Sequence, residues 1–285
     1  MATTQNQQSK FTLQRRRQSV QFFVEPLNDD LGIEMMLIPA GTFMMGSLED
    51  EVGHSSSESP QHEVNIATFF MSKYLITQTQ WQFIAGLQKI SRDLNPDVST
   101  FKGNNYPVEE VSWYDAVEFC HRLSQHTHRK YRLPTEAQWE YACRAGTVTP
   151  FHFGETITTN LSNYDGTDSP DGQQSGAYGR GPKGEYRRKP TPVNYFGIAN
   201  SFGLCDMHGN VFEWCLDHWH NNYSHAPKDG SAWLSSGENV KRVLRGGSWS
   251  SKPNNCRSAY RVNVSPIGKS SNFGFRIVYW NLEMS

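Results

Sequence analysis

Apolar and polar positions along this chain follow short, interrupted periods, each bounded by turn residues. Glu34 to Gly46, EMMLIPAGTFMMG, reads as two short strands around a Pro39-Ala40-Gly41 turn. Leu48 to Pro60 is acidic and Ser-rich, which predicts a loop, and strand-like alternation returns between His62 and Tyr74. Three helices are then marked by their caps. Thr77-Gln78-Thr79-Gln80 is a capping box leading into Trp81, Phe83 and Ile84. Ser112 to Asp115 opens a second helix, whose Trp113, Ala116, Val117, Cys120 and Leu123 fall on one stripe. Pro134 to Gln138 starts a third, which Gly146 ends. Beyond Gly146 little regular structure is legible until Val243, and the Gly- and Asp-rich stretch from Gly154 to Gly184 predicts backbone organised by a ligand or a metal.

The C-terminal part carries a different pattern. Val243 to Trp249 and Phe273 to Val278 read as half-buried strands with Gly where backbones pass closely. Between them lie Ser250, Ser251, Asn254, Asn255, Asn263, Ser265, Ser270, Ser271 and Asn272, interrupted by Val262, Val264 and Ile267. No helical or strand period survives there, so the stretch predicts an exposed, irregular surface held by two strands. The plain alternative is a polar loop without a task.

At 285 residues the chain can bury a substantial core, and a net charge of -1 gives no basic field for nucleic acid or an anionic membrane. Aromatic residues make up 13%, with 23 Gly and 14 Pro, as expected of a turn-rich fold pinned by large rings. No apolar run approaches the ~20 residues of a spanning helix. Met1 to Lys10 is polar, is expected to be disordered and lacks a hydrophobic signal core, which places the chain in the cytoplasm as an expectation. The five cysteines are odd in number and lack CxxC spacing, so reduced thiols, several of them buried, are expected rather than disulfides. With no internal repeat or linker, the expected organisation is an N-terminal arm over 1–30 and a single irregular α+β domain over 31–285.

Six motifs appear in order: IPAGTFMMGS, PVEEVSWYDAVEFCHRLS, YRLPTEAQWEYACRAGT, FGLCDMHGNVFEWCLD, RVLRGGSW and GFRIV. Together they closely resemble the formylglycine-generating enzyme family, also called the sulfatase-modifying-factor domain, over Ile33 to Val278. The resemblance implies a C-type-lectin-like fold: a small twisted antiparallel sheet, a few helices and much loop. It also implies an oxygen-using oxidase that converts a sulfatase cysteine to formylglycine with copper held by two cysteines separated by four residues. The second of these matches Cys256, but the first falls on Ser251. A hydroxyl is a poor ligand for soft Cu(I), which wants thiolate, so copper is not expected.

The tail is also similar to the variable proteins of diversity-generating retroelements, some of which use this same lectin-like fold. In such tails a fixed scaffold alternates with Asn codons that adenine-directed mutagenesis replaces. The scaffold positions are Gly246, Gly247, Ser248, Trp249, Pro253, Cys256, Arg257, Ser258, Ala259, Arg261, Gly274, Phe275 and Arg276. Base changes in Asn codons account for Ser, Val, Gly and Ile at the intervening places, whereas Lys252 and Lys269 lie outside that rule. The surface so implied consists of Ser250, Ser251, Lys252, Asn254, Asn255, Tyr260, Val262, Asn263, Val264, Ile267, Gly268, Ser270, Ser271, Asn272 and Phe273, with Tyr260, Trp249 and Trp219 as aromatic anchors. Trp249 has core packing as its alternative role.

The resemblance further implies calcium, held by Asp206, the carbonyls of Gly209 and Val211, and Glu213, in keeping with the oxygen ligands a hard cation takes. A second calcium would use Asn163, the carbonyl of Tyr164, Glu185 and the carbonyl near Arg187. Zinc and hydrolase chemistry lack their signatures: His218 and His220 are too close for an i,i+4 pair, and neither HExxH nor a nucleophile elbow is present. The expected function is therefore non-catalytic recognition of a ligand, in all expectation a protein, with the copper-dependent oxidase as the alternative. A third possibility is a module that recruits a signalling or defence partner through an arm containing Arg15-Arg16-Arg17.

Overall fold

The computed structural model describes residues 12, 14, 16–237 and 240–279. The expectation of disorder over Met1 to Lys10 lies outside them. The N-terminal half supplies strands β1 (Phe22–Pro26), β2 (Gly32–Ile38), β3 (Gly41–Met45), β4 (His62–Ile66) and β5 (Phe69–Ser72). Helices α1 (Gln78–Ala85) and α2 (Trp113–Thr127), strand β6 (Tyr131–Arg132) and helix α3 (Glu136–Arg144) follow. The C-terminal half adds β7 (Phe212–His218), β8 (Arg242–Arg245), β9 (Arg261–Val264), β10 (Phe273–Gly274) and β11 (Val278–Tyr279).

All three helices begin where their caps place them. Thr77, Ser112 and Thr135 each accept a backbone N–H three residues on, and the residue there reaches back, so every helix opens on a complete capping box. The third ends on left-handed Ala145 followed by Gly146 at φ 89°. The strands form three sheets: a five-stranded one ordered β1-β2-β5-β11-β6, a four-stranded one ordered β10-β7-β8-β9, and the β3-β4 hairpin. Every pairing is antiparallel except β10 with β7. Both ends of the domain meet in the first sheet, because β11 inserts between β5 and β6 while β1 caps its far edge. Phe22 to Pro26 thus pair with β2 and belong to the domain, and the expected arm over 1–30 is shorter than its assigned bounds.

Two elements depart from the sequence pattern. β7, in a region expected to lack regular structure, is a central strand buried on both faces, so FEWCLDH shows no alternation. β9 lies inside the stretch expected to be irregular; its Arg261 points into the core against Glu136, which hides the strand period. β8 stops at Arg245, so Trp249 stands outside the strand expected to include it, and Phe273 to Val278 divides between two sheets.

Two large apolar clusters lie against the sheets and helices, one around Trp81, Phe119 and Phe275, the other around Trp139, Met71 and Val243. A third, formed by Phe151, Ile157, Tyr164, Tyr178 and Cys256, gives the long 147–209 segment a core of its own. That segment is tied down by polar groups: the Asn210 side-chain oxygen accepts from Thr191 N (2.9 Å) and Asn163 Nδ2 (3.2 Å). All five cysteines are free and buried, as expected.

The candidate binding surface and its support

The C-terminal loop rests on a lattice of buried arginines. Arg245, Arg257 and Arg276 are fully buried and Arg261 nearly so. Arg245, at the end of β8, binds Glu140 and lies 3.6 Å from Glu136. Arg261 on β9 grips Glu136 through Nε and Nη2, both at 2.7 Å. Arg257 holds Glu58 at 2.7 and 2.8 Å and Glu51 at 2.6 Å. Arg276 takes Glu213 at 2.6 and 2.9 Å. Each guanidinium also donates to backbone carbonyls, so the buried donors are matched except Arg245 Nε, which has no partner. Burial opposes charge on Arg245 and Arg257, but the facing carboxylates outweigh it and raise both pKa values. Glu109 stands apart. Its Oε1 accepts Phe101 N at 2.7 Å, its Oε2 is buried without a partner, and burial pushes its carboxyl up to about 7.

Above this lattice the chain leaves β8 through Gly246 and Gly247, at φ 92° and 74°. A Cβ on Gly247 would lie 2.6 Å from Cys256 Sγ and 2.7 Å from the Asn255 carbonyl, so only glycine fits. Ser248 to Ser251 then form a tight turn in which Ser251 Oγ accepts Ser248 N and pairs with Ser248 Oγ, both at 3.0 Å. Ser250 Oγ stands 3.2 Å from Ser248 Oγ, and Asn272 Nδ2 donates to Ser250 Oγ at 3.1 Å. Asn272 Oδ1 is left without a partner. Trp249 is half-buried, its Nε1 donating to the Ser271 carbonyl at 3.1 Å, with Phe101 edge-on at 5.6 Å and Tyr186 stacked at 6.1 Å.

This brings together Trp249, Ser250, Ser271 and Asn272 as one patch of hydroxyls, amide and indole. Ser251 belongs to the same cluster but is buried. Ser270 accepts Glu110 N through its carbonyl, and Lys269 reaches Asp115 at 2.8 Å, so the 266–272 turn is pinned to the start of α2. Ile267 is 68% exposed beside half-buried Gly268. Tyr260, Val262, Val264 and Phe273 are half-buried and pack against the first core cluster, with Asn263 between the two valines on edge strand β9. Their exposure is thus less than a wholly irregular surface implies. Lys252 lies apart, clasping Asp165 at 2.6 Å, with Asn254 exposed and Asn255 half-buried in the short 3-10 turn beside it. Trp219 is elsewhere, covering Arg261 at 4.4 Å and packed on the second cluster. Sequence reasoning missed Phe101 and Tyr186, which sit in loops with no period to mark them.

At the family's copper position the residues do not fit a two-thiolate site. The Ser251 hydroxyl is engaged by Ser248, and burial pushes the Cys256 thiol far up, against Gly247. At the calcium positions the fit differs by residue. Asp206, at φ 58°, is half-buried and accepts Asn194 N at 3.0 Å, while desolvation raises its carboxyl to about 6. Glu213 is held on both oxygens, by Arg276 and by Trp139 Nε1. At the second position Asn163 Oδ1 is buried and unpartnered, Tyr164 is buried, and Glu185 is exposed and paired with Arg187. Among the described residues no group of three or more His, Cys, Asp or Glu side chains could hold a metal, so an ion would draw mainly on carbonyl and amide oxygens with Asp206, donors suited to a hard cation.

A family model for the sulfatase-modifying factor enzyme 1-like domain matches residues 24–280. The chain belongs to this family. Its α+β architecture is the C-type-lectin-like fold of these domains, shared with PvdO from Pseudomonas aeruginosa at 32% identity and a TM-score of 0.74, over 90% of this chain and 97% of that one. Treponema denticola variable protein 1 superposes over 90% of this chain and 98% of its own, at 25% identity and a TM-score of 0.70. The formylglycine-generating enzyme of Mus musculus is 27% identical over 85% of this chain and 74% of its own length. The inactive C-alpha-formylglycine-generating enzyme 2 of Bos taurus is 26% identical over 86% and 87%. Serine/threonine-protein kinase pkn1 of Chlamydia caviae is 29% identical over 85% of this chain, which spans only 37% of that kinase. Relatives of this chain therefore include proteins it spans almost whole and one it spans only in part, and one of them is named as inactive.

Proposed function

We propose that this domain is a non-catalytic ligand-binding protein, diversified by a retroelement, whose surface over about 250–273 recognises a protein. The observation that carries the reading is the hydroxyl and amide patch of Ser250, Ser271 and Asn272 around Trp249, standing on a buried arginine lattice where the family's enzymes place a thiolate pair. A surface whose side chains make few contacts below can change without loss of fold. The likeness to a protein titled as variable supports the same reading. Structural calcium at Asp206 and Asn163 would stiffen the long loops beneath the patch; addition of Ca²⁺ should raise the melting temperature, and Asn163→Ala should abolish part of that rise.

Retention of Cys256 favours the copper-dependent oxidase as a second reading. Copper(I) titration of the reduced protein separates the two. The binding reading expects no tight two-sulfur complex. Tight binding with thiolate character that disappears in Cys256→Ala would replace it with the oxidase.

A further inference from the structure

The two edges of the five-stranded sheet are finished differently. At one, the short β6 packs against α2, while at the other β1 is left open among the described residues. The inner side of β1 is spent on β2. The Gln21 carbonyl accepts Leu37 N at 2.9 Å, and Leu27 N donates to the Leu31 carbonyl at 2.8 Å. Bonding alternates along an antiparallel ladder, so Phe23 and Glu25, which lie between these two in step, also face β2. The backbone N–H and C=O groups of Phe22 and Val24 therefore point outward, with no strand beside them. Their side chains are exposed as well, at 55% and 52%, where an open edge is ordinarily blunted by charge.

Charge flanks this apolar edge with opposite signs. Arg16 and Arg17 precede it, and Asp29 and Asp30 follow it in the turn to β2; all four are exposed. The ion pair at this edge joins Arg129 to Glu25 and leaves those four without a partner among the described residues. A strand with a basic entry and an acidic exit is complementary to itself in the antiparallel sense. Two copies related by a two-fold axis beside Phe23 set Phe22 of each against Val24 of the other. Each such pair exchanges two backbone hydrogen bonds, so every outward N–H and C=O of Phe22 and Val24 is used, and their side chains meet across the junction. The same order carries Arg16 and Arg17 of one copy toward Asp29 and Asp30 of the other, at both ends. Moving the axis to Val24 sets Phe22 against Pro26, which has no N–H to give. We propose that β1 is the contact between two copies of this chain, which join their five-stranded sheets edge to edge as an antiparallel dimer. A second copy fits better than an unrelated strand, because the register that satisfies the backbone is also the one that matches the charges. A five-residue edge is smaller than the ~1,200 Å² of stable interfaces, so the dimer is weak and salt-sensitive.

Sedimentation equilibrium of the full-length protein between about 10 µM and 1 mM tests this. A monomer–dimer equilibrium is expected, weakening several-fold as salt rises from about 50 to 500 mM. Val24→Pro removes an outward N–H, leaves the bonds to β2 in place and should weaken association about tenfold or more. Should that variant fail to fold, the surface charges decide. Arg16→Glu with Arg17→Glu, and Asp29→Arg with Asp30→Arg, should each stay monomeric alone and pair one-to-one when mixed, because mixing restores opposite charges at both ends. A monomer at 1 mM, a dimer indifferent to these substitutions, or no pairing in the mixture overturns the proposal. So does association that appears only after residues 1–11 are removed, since the chain's own N-terminus would then cover the edge.

Discussion

The arginine lattice and the patch above it are adjacent in the chain yet differ in every physical respect. In the lattice each charge is desolvated and met by a carboxylate and by backbone carbonyls, so no member can change alone. In the patch, half-buried hydroxyls and an amide hydrogen-bond to one another, and Asn272 keeps a buried oxygen without a partner. Three residues separate Arg245 from Trp249, and two of them are glycines in left-handed conformation that make the crossing between the regimes. The comparison teaches that one loop can hold both a rigid and a lightly constrained set of side chains when some point down into charge pairs and the others point elsewhere.

Six substitutions break or sharpen this contrast. Arg245→Met takes one of two arginine partners from the buried Glu140 carboxylate, which keeps Arg144, and should destabilise the domain by about 2–3 kcal/mol, read from denaturant unfolding. A loss below about 1 kcal/mol would mean the lattice is dispensable. Glu109 is the acid the lattice leaves unpaired, raised by burial to about 7 against roughly 4.3 in the unfolded chain. Between those values the folded state holds the extra proton, so stability should fall as pH rises from about 4 to 7. Glu109→Gln should flatten that slope and stabilise the protein at pH 8 by on the order of 2 kcal/mol, whereas an unchanged pH profile would show Glu109 to be solvated. Trp249→Ala removes a half-buried ring packed on Phe101 and Tyr186, at a cost of about 1–2 kcal/mol. Smallest of all, Ser250→Tyr, Ile267→Ser and Ser270→Asp should each stay within about 0.5 kcal/mol of the parent, and a larger loss at all three would remove the distinction between patch and lattice.

Helix starts were fully legible, because capping boxes are local chemistry between residues three apart. The first strands were legible for the same reason, with Pro39 and Gly41 marking the turn between β2 and β3. β7 was not, since a strand covered on both faces loses its alternation. β9 was hidden by Arg261, a charged residue whose inward direction depends on Glu136, 125 residues away. Arg257, Arg261 and Arg276 could be marked as fixed from the tail's pattern, but not the reason, because their carboxylates lie in distant segments. The patch was half legible. Its serines and Asn272 stood out by composition, while the half-burial of Tyr260, Val262, Val264 and Phe273 follows from packing that only the fold creates.

The most direct test of a fixed lattice beneath a varied surface is the DNA sequence around the gene. The account predicts a near-copy of its 3′ end, beside a reverse-transcriptase gene, differing at adenines in the codons for positions such as Ser250, Val262, Gly268, Ser270 and Ser271. It predicts identity at the codons for Arg245, Arg257, Arg261 and Arg276. Absence of such a copy, or differences scattered across the arginine codons, would contradict it.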